Sequence, residues 1–219
     1  MRGARRVSLT FDNGPDPSAT PEVLDVLARH DVRAAFFLVG RKLRSAPHLA
    51  LAERTYREGH RIGNHTFSHG TPFGALERPA DAIDEVEMSQ ALLAPIADPD
   101  RLFRPSGGGA GRLDRYLMSE TAYRHLQTGG YTCVLWNSVP GDWLDPEGWV
   151  RRGLDDVGRL AWTVVVIHDL PTGAMKHLEE FILAARDLGA EFTQDFPADC
   201  VPLLCGKPQW DMRHLITDR

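Results

Sequence analysis

Val7-Ser8-Leu9-Thr10-Phe11-Asp12-Asn13-Gly14-Pro15-Asp16-Pro17 starts as a short apolar strand and ends in a turn. Asp12 and Asn13 stand side by side at the junction, and Gly14 and Pro15 break regular structure directly after them. A strand that carries a carboxylate to its C-terminal end and then turns is how α/β barrels build active sites. The same residues also suit a plain Asx-turn, with Asp12 and Asn13 bonded to their own backbone. The stretch alone leaves both readings open, and the rest of the chain decides between them.

The chain has 219 residues, a length that suits one α/β domain with a sizeable core. Its hydrophobic fraction of 42% and charged fraction of 25% are those of a soluble globular protein. A net charge of -5 argues against nucleic acid or an anionic membrane as the main partner, and no apolar run reaches membrane-spanning length. Met1 to Arg6 is basic but has no apolar segment behind it, so it does not read as a signal peptide, and a cytoplasmic location is expected. Cys133, Cys200 and Cys205 lack metal-type pair spacing and are expected to be unpaired thiols.

Beyond the opening stretch, helical and strand patterns alternate. Helices are expected from Thr20 to about His30, with Thr20 as N-cap and Pro21 at the first helical position, and over 46–58, 80–94, 113–127, 146–160 and 174–188. Strands are expected at 33–39, 60–64, 102–105, 132–136 and 161–167. Such alternation without repeats implies a mostly parallel sheet or barrel. Asp12, His65, Arg104 and His168 all fall at the C-terminal ends of strands, where such folds collect their chemistry. His65-Thr66-Phe67-Ser68-His69 spaces two imidazoles four apart, which on a helical turn puts both within reach of one cation. By itself such a pair is more often two surface histidines near a loop. Asp12 or Asn13 on a neighbouring strand end is the further oxygen donor that favours a metal.

Together these segments resemble the polysaccharide deacetylases with the NodB homology domain, carbohydrate esterase family 4. Thr10-Phe11-Asp12-Asn13-Gly14-Pro15 resembles the first family motif, usually TFDDGP. His65 to His69 matches the second, H-[ST]-x-x-H. Phe103-Arg104-Pro105-Ser106-Gly107-Gly108, Gly141-Asp142-Trp143 and Val165-Val166-Ile167-His168-Asp169 resemble the other three. The resemblance runs from about Val7 to Leu188. It implies a distorted (β/α) barrel over residues 1–195, with 196–219 as a C-terminal extension packed on it.

The activity implied is metal-dependent removal of N-acetyl groups from amino sugars of a polysaccharide or oligosaccharide, by hydrolysis of a linear amide C–N bond. Carried onto this chain, the family roles make Asp12 the general base, with Arg104 to orient it and lower its pKa, and His168 the general acid, with Asp142 to hold it. Trp143 is a substrate wall, and the backbone near Ser106 and Gly107 an oxyanion hole. Asn13, His65 and His69 become the ligands of a divalent metal, zinc ahead of cobalt or nickel. The chemistry needs these groups: a Lewis acid for the carbonyl, a carboxylate for the water proton and an acid for the poor amine leaving group.

Two positions depart from the family pattern. Asn13 stands where a second aspartate normally ligates the metal, so a more weakly held but more acidic cation is expected. Ser106-Gly107-Gly108-Gly109 stands where the family often has a bulky residue, which is expected to open the pocket and remove an apolar wall. Trp136, Trp149 and Trp162 are expected in the core. Rival readings are a C–N hydrolase of a non-sugar amide, formamide or imide, and a weakly metal-binding pseudoenzyme that binds glycan. Neither nucleic acid nor a membrane span is expected as a partner.

Overall fold

The computed structural model describes residues 5–107 and 111–218. Strand β1 (Arg5–Asp12) and helix α1 (Thr20–Arg29) open the chain, followed by β2 (Ala35–Leu38), α2 (Ala46–Arg57), β3 (Arg61–Asn64) and α3 (Asp81–Leu93). Then come β4 (Leu102–Phe103), β5 (Met118–Ser119), α4 (Glu120–Thr128), β6 (Thr132–Cys133), α5 (Trp149–Arg159), β7 (Trp162–His168) and α6 (Leu178–Asp187). Short strands β8 (Ala190–Phe192), β9 (Leu203–Leu204), β10 (Lys207–Pro208) and β11 (Ile216–Thr217) complete it.

The main sheet runs β10-β9-β6-β4-β3-β2-β1-β7. Every pair from β6 to β7 is parallel, whereas β9 joins β6 antiparallel. One edge of β1 is shared, by β8 along Arg5–Val7 and by β2 along Thr10–Asp12. The sheet curls until the chain after β6 meets β7 through a single parallel bridge, Ser138 to Val165. The architecture is one α/β domain built on a curled, incompletely closed barrel.

The period of two in β1 sorts its side chains. Val7, Leu9 and Phe11 face outward into a core shared with Val165, Ile167, Phe181 and the helices. Phe11 stacks on Phe36 with ring centroids 4.7 Å apart, and emptying either position would cost about 3–5 kcal/mol. Ser8, Thr10 and Asp12 therefore face inward, and all three are buried. In β7 the inward set is Val164, Val166 and His168. The alternation that builds the outer core thus delivers polar residues to the mouth of the barrel.

Several sequence expectations need correction. Residues 113–117 are not helical; Asp114 closes an Asx-turn by accepting the Tyr116 N–H at 2.9 Å, and α4 starts only after Ser119, which caps it through the Ala122 N–H at 3.2 Å. Residues 146–148 stay outside α5 because Asp145 accepts the Gly148 N–H at 3.0 Å. The 174–188 segment begins as a 3₁₀ turn, Ala174–His177, before α6. The strand expected at 132–136 shrinks to Thr132–Cys133. Thr20 is the first residue of α1 and not its cap; its hydroxyl is engaged elsewhere. All three cysteines are free, Cys133 and Cys200 buried and Cys205 exposed.

Candidate active site

Asp12, Asn13, His65, His69, Gly107, Trp143 and His168 line one cavity of about 320 Å³ at the C-terminal ends of β1, β3 and β7. Parallel register places Asp12 beside His168 and Phe37. Arg104, one residue past β4, is fully buried beneath them. Its Nη1 donates to Asp12 Oδ1 at 2.8 Å and Thr10 Oγ1 at 2.7 Å, its Nε donates to the Val134 carbonyl at 3.1 Å, and its guanidinium lies 4.0 Å from the Phe37 ring centroid. A guanidinium keeps its charge in such surroundings. Burial pushes the Asp12 carboxyl up, but Arg104, with His65 and His168, outweighs it and holds Asp12 below the ordinary carboxylate range.

The His65–His69 segment is not the helical turn expected from the spacing. Thr66 and His69 both have positive φ, 65° and 52°. The turn is held by side chains: Asn64 Oδ1 accepts the Thr66 N–H at 2.9 Å and Thr66 Oγ1 accepts the His69 N–H at 3.0 Å. It still brings the two imidazoles together, ring centroids 4.7 Å apart. His65 Nδ1 donates to the Arg104 carbonyl at 2.8 Å, which leaves the Nε2 lone pair free, 3.6 Å from Asp12 Oδ2. Burial drives His65 down to about 4 and also lowers His69. Both are then neutral at pH 7, the form in which imidazole binds a metal.

Asn13 adopts φ 72°, and its Oδ1 is buried without a hydrogen-bond partner. An orphaned amide oxygen beside two neutral imidazoles fits a cation site, since a buried acceptor otherwise goes unsatisfied at a cost. Among the described residues no cluster of three His, Cys, Asp or Glu side chains is placed to hold a metal. The third donor of this set is an amide.

On the opposite wall, the Ser138 bridge carries the chain to Gly141, whose φ of 72° turns it back so that Asp142 meets the end of β7. The Asp142 carboxylate is fully buried and accepts both the His168 backbone N–H and its Nδ1–H, each at 2.9 Å. Burial opposes charge on His168, but Asp142 outweighs it and raises the imidazole above its ordinary value. Trp143 meets the same ring edge to face, centroids 4.9 Å apart at 79°.

Of the backbone expected near an oxyanion, Gly107 reaches the cavity, whereas Ser106 is buried and is not among the described lining residues. Gly108 and Gly109 lie outside the described residues. Trp136 is buried in the core, as expected, and one side of it also lines the cavity; its Nε1–H donates to the Gly111 carbonyl at 2.8 Å. A side chain on Gly107 would touch the Trp136 ring. An apolar wall is therefore present, supplied by Trp136 with Val139, Val166 and Leu170. The sequence hints at Val166 through the alternation of β7. Nothing local marks Val139 or the cavity side of Trp136, because their strand already ends at Cys133.

A family model described as polysaccharide deacetylase matches residues 2–126 of the chain. The chain is 29% identical over 170 residues to a peptidoglycan-N-acetylglucosamine deacetylase of Bacillus cereus, an alignment that covers 74% of this chain and 72% of that protein. It is 35% identical over 160 residues to a chitooligosaccharide deacetylase of a Bradyrhizobium species, covering 72% of this chain and 64% of that protein. Among solved structures, a pseudoenzyme of the CE4 family from Bacillus anthracis superposes with a TM-score of 0.72 at 19% identity, over 88% of this chain and 64% of that one. At that identity the likeness concerns the fold alone.

Proposed function

The chain belongs to the polysaccharide deacetylase family, and from that membership we propose that it removes N-acetyl groups from amino-sugar units of an oligosaccharide or polysaccharide. The observation that carries the reading is a pair of oppositely tuned groups across one cavity: Asp12 held charged by Arg104, and His168 raised by Asp142.

Asp12 takes the proton of the attacking water, which its charge at neutral pH permits and the Arg104 hydrogen bond orients. His168 has Nδ1 engaged by Asp142, so Nε2 is the nitrogen left to protonate the departing amine. Gly107, whose backbone lines the cavity, is the position assigned to give an N–H to the developing oxyanion. Trp136, Val139 and Leu170 give the acyl methyl an apolar, poorly hydrated seat. A divalent cation held by Asn13, His65 and His69 would supply the Lewis acidity that polarises the amide carbonyl and acidifies water. Zinc suits two imidazoles and an oxygen donor, with cobalt and nickel as further candidates.

A glycan is favoured over a small amide or imide by the surroundings of the cavity. It shares the Val139 wall with a second hollow of about 600 Å³ that includes Pro140, Leu144 and Arg152, and Leu144 is 72% exposed there. Units flanking the reacting sugar have room along that side. A glycan-binding pseudoenzyme is the second reading, favoured by Asn13 alone. The deciding experiment measures acetate release from N-acetylated oligosaccharides and from simple amides with zinc, cobalt or nickel added. Release from the oligosaccharides supports the proposal. Glycan binding without release under every metal favours the pseudoenzyme.

A further inference from the structure

Asp169 follows the acid His168 at the end of β7 and takes no part in the hydrolysis described above. It is fully buried, its Oδ2 accepts the Thr20 hydroxyl, and its Oδ1 has no partner. Burial lifts its carboxyl to about 7 against the pull of Thr20 and Lys42. A buried, half-satisfied carboxyl group is costly, and a fold that retains one needs a reason.

The reason lies in what the carboxyl touches. Thr20 Oγ1, which donates to Asp169, accepts the Asp16 N–H at 2.7 Å. Gly14 packs its Cα against the same carboxylate so closely that any side chain there would overlap it. Lys42 donates to the Pro15 carbonyl at 3.2 Å, and the Val39 N–H donates to the Gly14 carbonyl at 3.1 Å. These contacts surround the turn after β1, whose first residue, Asn13, has φ 72°. A left-handed non-glycine residue persists when its surroundings over-determine it.

We infer that Asp169 is a positioning residue: through Thr20 and Gly14 it holds the Asn13–Asp16 turn, and with it Asp12 and Asn13, in register with His65 and His69. The effect is that of an outer-shell group, whose loss typically costs about 10–100-fold in metal affinity or activity. It also explains why Thr20 does not cap α1, its hydroxyl being engaged in the link between β7 and the turn. The inference rests on the reading of Asp12 and Asn13 as base and ligand.

The test compares wild type, D169A, D169N and T20V. Zinc affinity is measured by competition with a chromophoric chelator, kcat and KM on an N-acetylated chitooligosaccharide, and the Asn13 and Gly14 amide shifts by NMR. D169A and T20V should weaken zinc about 10–100-fold, lower kcat at unchanged KM and move both amide shifts. D169N keeps an oxygen for the Thr20 hydroxyl and should retain most of the wild-type behaviour. If D169A does not fold, T20V carries the comparison, since it removes the link and keeps the side-chain volume. A drop in Tm with zinc affinity, kcat and both amide shifts unmoved overturns the inference. A wild type that neither holds zinc nor releases acetate sinks the functional reading instead, and the two amide shifts then still decide whether Asp169 holds the turn.

Discussion

Arg104 donates to Asp12 at 2.8 Å in a site where both side chains are shut off from solvent, and that one bond ties stability to chemistry. Arg104→Ala leaves the Asp12 charge buried and unpaired. The expected cost is about 3–5 kcal/mol, a fall in Tm of roughly 10 °C for a chain of this size. Asp12→Asn keeps the volume but removes the base, and should lower kcat about 10²–10⁴-fold while also reducing Tm. Thermal melts and acetate release on the two variants check the pair. An Asp12→Asn protein with wild-type kcat would remove Asp12 from the mechanism.

The unpartnered Asn13 Oδ1 leads to a second expectation. Asn13→Asp adds a negative charge beside Asp12, so without metal the variant should melt below wild type. With zinc the sign should reverse, because the new carboxylate attracts the cation, and affinity should rise about tenfold or more. Calorimetric titration and melts with and without zinc measure both effects. If the wild type keeps zinc through dialysis against a strong chelator, the site is not weak and the account of Asn13 fails.

The acid and base predict the shape of the pH–rate profile. Asp12 works deprotonated and its pKa is lowered, so its own acid limb should lie below the ordinary carboxylate range, and a limb at higher pH reports protonation of the ligand imidazoles His65 and His69. His168 works protonated, so the rate falls as pH rises through its pKa, which Asp142 raises. Asp142→Asn should therefore shift the alkaline limb to lower pH and reduce the maximum rate. An alkaline limb that stays in place in Asp142→Asn would exclude His168 as the group that titrates there.

Much of this site is legible in the chain because its residues lie at strand ends that simple alternation locates. Asp12 and His168 follow apolar runs whose period of two points them inward, and the structure pairs them in register. The two imidazoles are legible as a pair, but their helical geometry is not, since the turn depends on Asn64 and Thr66 hydroxyl and amide bonds that spacing does not encode. Trp136 reads as core because tryptophans beside apolar runs usually are. It is core, and its second role in the cavity wall depends on Gly107, 29 residues away, where a side chain would touch its ring. Thr20 misleads for a related reason: a threonine before Pro-Glu has every local mark of an N-cap, and only the distant Asp169 shows where its hydroxyl goes. Local chemistry predicts elements; long-range partners decide which of two satisfactory bonds a polar group makes.

His60 supplies a prediction about stability away from the site. It is 4% exposed, and its Nδ1 accepts the Ala34 N–H at 3.1 Å, which requires an unprotonated nitrogen there. Burial, with Arg33 nearby, lowers its pKa from 6.5 to about 4. The unfolded chain therefore takes up this proton first as pH falls. The His60 contribution is complete above pH 6.5 and is lost progressively as pH drops toward 4, up to about 3 kcal/mol at 1.36 kcal/mol per pKa unit. His65 titrates in the same window in metal-free protein, so the measurement needs a variant to separate them. His60→Asn, whose side-chain oxygen is available to the Ala34 N–H at every pH, should lose stability less steeply than wild type between pH 6.5 and 4. Urea unfolding of metal-free protein across that range measures the two slopes, and equal slopes would mean that His60 is not the group being protonated.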